Sequence, residues 1–153
     1  MTYLQSNKSA DCVFCQALQQ PDSSSNLVVQ RGKNAFVILN RYPYTSGHLM
    51  VVPNAHLDSL TELTVETRTE IFELTAAATQ VLTAEFQPQG FNLGMNIGEA
   101  AGAGIADHVH MHIVPRWSGD TSFMSAVADT RVLPEALDVT YARINAAWRR
   151  LRP

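Results

Sequence analysis

The stretch Asp107-His108-Val109-His110-Met111-His112-Ile113-Val114-Pro115-Arg116 sets three histidines at a spacing of two, alternating with apolar residues. In a β-strand this period sends all three imidazoles to one face and Val109, Met111 and Ile113 to the other. Imidazole is the only side chain that titrates near neutrality when unperturbed, and it can serve as nucleophile, acid, base or metal ligand. A half-exposed strand that uses histidine merely as its polar residue accounts for one such residue, but poorly for three in strict alternation. Pro115 should limit the strand, because it cannot donate to a ladder in a sheet interior.

Two further stretches could do chemistry. The only two cysteines form Cys12-Val13-Phe14-Cys15. In a reducing compartment a C-x-x-C pair means metal or redox chemistry rather than a structural disulfide. The redox reading wants a thioredoxin-like βαβ context, which this chain lacks, and the metal reading needs two more ligands. Directly before the histidines runs Gly98-Glu99-Ala100-Ala101-Gly102-Ala103-Gly104-Ile105-Ala106-Asp107. Its three glycines permit positive φ and close backbone approach, the requirements of an anion-binding nest. It is neither a Walker loop nor a dinucleotide fingerprint, since no helix-opening pattern follows.

His108 to Val114 resembles the signature of the histidine triad (HIT) family of nucleotide hydrolases and transferases. The resemblance extends from Cys12 to about Met124 and points toward the fragile-histidine-triad, or diadenosine polyphosphate hydrolase and phosphorylase, branch. It implies that His110 attacks an α-phosphate to give a nucleotidyl-enzyme intermediate, with His48 and His112 beside the phosphate. Phe36 to Pro53 resembles the family's nucleoside-binding region, which implies that Asn40 bonds a ribose hydroxyl. The resemblance makes Gly102, Ala103, Gly104 and Ile105 a phosphate loop. Asn96 then stands where that branch commonly has Gln, so its reach toward the next phosphate is one methylene shorter. Many family members also pair a C-x-x-C with two histidines, which implies a structural zinc held by Cys12, Cys15, His56 and His108. Catalysis of this kind needs no metal, although magnesium can arrive with substrate. A purine nucleoside phosphoramidase and a nucleotide-binding regulatory protein are the competing readings.

The elements that must position these residues are legible from pattern. Cys12 to Leu18 reads as a knuckle or short helix. Leu27–Arg31 and Ala35–Leu39, split by Gly32-Lys33-Asn34, read as a β-hairpin. Asn40 to Gly47 is a turn, His48–Pro53 a strand, and Leu57 to Phe86 mainly helix, with Thr64 a candidate N-cap facing Thr67. Val65, Ile71, Phe72, Thr75, Ala78, Val81, Leu82 and Phe86 form its apolar stripe. Phe91–Ile97 is a further strand. A helix from Pro134 to Leu151, with Pro134 in its first turn, carries Leu137, Tyr141, Ile144 and Trp148 on one side. The expected class is α+β, with about five mainly antiparallel strands, one long helix and a C-terminal helix.

Composition bounds the rest. At 153 residues the chain fits one domain, placed at residues 12–153 behind a flexible arm at residues 1–11. The net charge of -3 gives no basic footprint for nucleic-acid polymers. No apolar run reaches a membrane span and no signal-peptide core is present, so a cytoplasmic protein is expected. The family resemblance implies a homodimer that joins two sheets.

Overall fold

The computed structural model describes residues 10–120 and 134–152. Five strands, β1 (Val28–Arg31), β2 (Ala35–Leu39), β3 (Leu49–Pro53), β4 (Gly90–Gly94) and β5 (Met111–Arg116), pair in the order β1-β2-β3-β5-β4. Every neighbouring pair is antiparallel. The helices are α1 (Val13–Leu18), α2 (Val65–Phe86) and α3 (Leu137–Leu151), with a 3₁₀ turn at Glu99–Ala101. This is the α+β architecture expected from the sequence.

The register fixes which side chains share a face. Ile38 lies opposite Met50 and Met50 opposite His112, so these three form one row across the sheet. Val37, Val51 and Met111 form the adjacent row, which points the other way. Helix α2 packs across β2, β3 and β5 on that second face. Its buried residues Ile71, Thr75, Ala78, Val81 and Leu82 recur at helical spacing and close the core there. On the histidine face, Phe14 of α1 packs against the rings of His108 and His110.

Several boundaries differ from the sequence reading. Helix α2 begins at Val65, not Leu57, because Thr64 caps it. The Thr64 hydroxyl accepts from the Thr67 N–H at 3.1 Å. Val65 and Phe72 belong to the expected apolar stripe, yet each is 64% exposed. They sit on the flank of the helix that turns from the sheet. The helix ends at Gln87, which adopts the left-handed conformation with φ 51° and donates to the Thr83 carbonyl. Helix α3 starts at Leu137, so Pro134 lies before its first turn. It packs on its own domain, where Tyr141, Ile144, Ala147 and Trp148 are buried and the Tyr141 hydroxyl donates to the Val28 carbonyl. Strand β4 ends at Gly94, leaving Met95, Asn96 and Ile97 outside it.

Pro115 does not end β5 as expected. It pairs with Phe91 of the edge strand β4, while the ladder to β3 stops earlier, at Leu49 and Ile113. Its missing N–H therefore falls where β3 has already turned away. Its carbonyl accepts there from the Thr45 hydroxyl at 2.8 Å. Residues 1–9 of the expected arm lie outside the described residues. Ala10 accepts from the Gln16 side chain at 2.9 Å, which ties the described end of the arm to α1. Residues 121–124, the end of the stretch that carries the family resemblance, also lie outside the described residues.

Candidate active site

Strand β5 carries His112, and the residues just before it carry His108 and His110. His108 shares with His110 the packing against Phe14, but its ring is fully buried and faces the two cysteine thiols. The His110 and His112 rings remain neighbours, with centroids 4.8 Å apart. From the residue just before β3, fully buried His48 joins them, its Nε2 lying 2.9 Å from Nδ1 of His112.

Each ring is neutral, and its tautomer follows from its partners. Burial lowers the pKa of His48 to about 3, reinforced by the nearby His112 and His110. Burial, then His110, lowers His112 to about 4. Burial also lowers His110, opposed by its hydrogen bond to the His108 backbone. The Tyr44 backbone N–H donates to His48 Nδ1 at 3.2 Å, so the hydrogen of His48 is on Nε2. His48 Nε2–H then donates to His112 Nδ1, which leaves an N–H on His112 Nε2. His110 Nδ1–H donates to the His108 carbonyl at 2.9 Å, so the lone pair of His110 sits on Nε2. The site thus presents one nucleophilic nitrogen next to one N–H donor. That pair is what attack on a phosphorus atom with stabilisation of its oxygens requires.

A cleft of about 380 Å³ is lined by Val13, Phe14 and Ala17 of α1 and by Leu27, Asn40, Met50 and Ile105; of these, Phe14 touches the His110 ring and Asn40 touches His48. Asn40 is half a turn residue, since its Oδ1 accepts from the Tyr42 N–H at 2.9 Å. Its Nδ2 lies 3.4 Å from His48 Nε2. Both nitrogens carry hydrogen, so this is a contact rather than a bond, and the Asn40 amide keeps a donor for the cleft. The ladder between β4 and β5 ends at Gly94 and His112, and Asn96 follows two residues after it. Asn96 is half-buried.

The glycine loop differs from the expected nest. Gly98 and Gly102 adopt positive φ, at 86° and 83°, but Gly104 does not. The N–H groups of Gly102 and Ala103 are spent inside the loop, on the carbonyls of Glu99 and Gly98. Only Gly104 and Ile105, of the four expected contributors, keep N–H groups that bond no described residue. The loop can meet an anion with two backbone donors rather than four.

The second cluster is Cys12, Cys15, His56 and His108, whose ligand atoms all lie within 4.8 Å of one another. Among the described residues no other group of three or more histidine, cysteine or acidic side chains is arranged to hold a metal ion. Cys12 Sγ is 3.4 Å and Cys15 Sγ 3.7 Å from His108 Nδ1, and Cys15 Sγ is 3.3 Å from His56 Nδ1. Around a tetrahedral zinc, sulfur and nitrogen ligands stand about 3.6 Å apart. His108 Nε2–H donates to the Pro53 carbonyl at 2.8 Å, which leaves the Nδ1 lone pair facing the thiols. Both the donor set and its spacing fit this metal.

A profile of the HIT domain matches residues 21–119. The chain belongs to the HIT family. An AP-4-A phosphorylase of Mycobacterium tuberculosis is 39% identical over 133 residues, covering 87% of this chain and 68% of that protein. An asymmetrical bis(5'-nucleosyl)-tetraphosphatase of Schizosaccharomyces pombe is 33% identical over 95 residues, 62% of this chain and 52% of that one. In structure, a Zn-bound histidine triad family protein from Mycobacterium smegmatis superposes with a TM-score of 0.74 at 27% identity. It covers 94% of this chain and 96% of that one. The HIT match begins after α1, so the place of Cys12 and Cys15 in the metal cluster rests on the geometry.

Two contributors were invisible in the sequence. Tyr44 sets the His48 tautomer through its backbone, and its ring lies 4.5 Å from that of His48. The acceptor for His110 is the carbonyl of His108, a backbone group that no residue pattern marks. None of the described helices is long and apolar enough to cross a membrane.

The lowered His48 pKa makes a signed prediction. Above pH ~6.5 the residue is neutral in both folded and unfolded chains. As pH falls toward 3 the unfolded chain takes up a proton that the folded one refuses, so stability is lost. Between pH 7 and pH 5 His48 alone should remove roughly 2 kcal/mol. Urea unfolding at both pH values should show a smaller loss in His48→Asn than in wild type. Equal losses would remove the neutral relay.

Proposed function

We propose that this chain is a nucleotidyl-transferring hydrolase or phosphorylase of dinucleoside polyphosphates, acting at the α-phosphate through His110. The observation that carries the reading is the His110 ring, with Nδ1–H committed to the His108 carbonyl and Nε2 bonded to no described residue. In the first step the Nε2 lone pair attacks the α-phosphorus. A P–N bond forms, the bridging P–O bond breaks, and the distal nucleotide leaves with the bond electrons. In the second step an oxygen of inorganic phosphate or water attacks the same phosphorus. The P–N bond breaks, its electrons return to Nε2, and the attacking group releases its proton to solvent. Phosphate as acceptor yields a nucleoside diphosphate, and water yields a monophosphate. The 39% identical relative named as a phosphorylase supports phosphate.

On this proposal the remaining residues take the following roles. His112 Nε2–H and the N–H groups of Gly104 and Ile105 offset charge developing on the phosphate oxygens. His48 holds His112 in the tautomer that donates. Asn40 reaches the ribose from the cleft, and Asn96 meets the phosphate beyond the one attacked. Cys12, Cys15, His56 and His108 hold a structural zinc, with all four ligands from protein. A second copy of the chain pairs along the free edge of β4. There Leu93 is 50% exposed and shares an apolar hollow with Phe91, Ala84 and Leu151.

Four measurements test this reading. His110→Ala should abolish diadenosine tetraphosphate turnover while keeping nucleotide binding, and removing phosphate from the wild-type assay should slow product release sharply. Turnover of the variant within about tenfold of wild type, or faster release from adenosine phosphoramidate, refutes the assignment. Metal analysis of protein purified without chelator should find about one zinc per chain, lost in the Cys12→Ser, Cys15→Ser double variant. Finally, sedimentation should show a dimer that Leu93→Lys converts to monomer. A monomeric wild type sinks the pairing.

A further inference from the structure

The short helix α1 brings together two groups of residues that sequence reading keeps apart. Cys12 and Cys15 belong to the metal cluster, and Phe14 stands between them, 2% exposed. Its ring packs edge-on against His108, with centroids 5.4 Å apart at 81°, and tilted against His110 at 5.1 Å. His110 is therefore held on two sides, by Phe14 and by the His112 ring at 4.8 Å. Its Nδ1–H is pinned to the backbone of His108, the residue whose own ring faces the thiols. A helix of six residues is too short to be stable by itself. What fixes α1 is tertiary. The Arg31 guanidinium donates to the Leu18 and Gln20 carbonyls, Asn26 donates to the Ala17 carbonyl, and the cysteines meet the two histidines.

We infer that Phe14 is a positioning residue for the His110 nucleophile, and that the metal cluster sets catalytic geometry by holding α1 and the His108 backbone in register around that ring. The inference rests on the nucleophile and metal assignments proposed above. Its physical basis is steric. An imidazole has two ways to leave its productive pose, a ring flip that exchanges Nδ1 with carbon and a swing about the Cα–Cβ bond. The His108 carbonyl opposes the flip, and the two flanking rings oppose the swing. Replacing Phe14 by a smaller side chain leaves a gap on one side of His110 while every metal ligand stays in place. A nucleophile misplaced by about 1 Å can lose on the order of a hundredfold in rate.

The test is Phe14→Leu, compared with wild type and His110→Ala on one preparation. Zinc content and thermal midpoint report whether the fold and the cluster survive. If either is lost, Phe14→Met, closer in volume, replaces the leucine variant. Turnover of diadenosine tetraphosphate gives kcat and KM separately. Proton–nitrogen spectra of protein labelled with [15N]histidine, taken at neutral pH, report the tautomer and mobility of the His110 ring. The expected result is a kcat at least about tenfold lower, a smaller change in KM, and a His110 pattern that moves from one Nδ1–H tautomer to an averaged mixture. An unchanged kcat overturns the inference. So does a kcat loss with the wild-type His110 pattern, because Phe14 then acts on the nucleoside instead. Activity retained by His110→Ala would instead refute the proposed function itself, so the two failures are separable.

Discussion

The His110 Nδ1–H bond to the His108 carbonyl, 2.9 Å long, assigns the proton of one ring and the lone pair of its other nitrogen. A free imidazole divides its hydrogen between two nitrogens, and only one tautomer can aim a lone pair at phosphorus. The bond is local, spanning two residues, yet it holds only if the backbone at His108 is fixed. That fixing is remote. The His108 ring is tied to the Pro53 carbonyl at the end of β3 and faces thiols that lie 96 and 93 residues away in the chain. The chemistry of the site and the closure of the fold therefore meet in a single residue.

Charge is managed by exclusion. Four histidines at the site are held neutral, chiefly because each is buried. An imidazolium row would attract a polyphosphate more strongly in the ground state. It would also leave no lone pair to attack and would set like charges side by side in the interior. The arrangement supplies directed N–H donors in place of net positive charge, which suits a chain whose overall charge is -3. Attraction for an anion is weaker, but on the proposed reading the donors are aimed where charge develops.

The period-two histidines, the hairpin around Gly32, the Thr64 cap and the Leu137–Trp148 stripe were all readable, because each depends on a local pattern that its own backbone geometry imposes. The four metal-cluster residues came together as the family resemblance implies. Other features escaped for identifiable reasons. Alternation marked His108 as one of three like residues, but gave no sign that its ring faces thiols 96 and 93 residues away in the chain. Glycine content suggested four free backbone donors, whereas Gly102 and Ala103 had already closed a 3₁₀ turn. Pro115 looked like a terminator because the sequence does not reveal which side of β5 lacks a neighbour. Phe14 looked like a spacer between cysteines, and its packing on two histidines depends on contacts across 94 and 96 positions of chain.

The strand order has a consequence for how the molecule comes into being. Strand β4 is made before β5 but pairs with nothing else, and β3 has a free side until β5 arrives. The last strand to emerge is therefore the wedge that joins two waiting edges, and it carries the histidines with it. The bridge between His48 and His112 spans 64 residues and can form only when that wedge is seated. Contacts of such long sequence separation are slow to form. A half-folded chain thus holds no assembled histidine group, and the arrangement proposed for catalysis arrives together with the closed sheet.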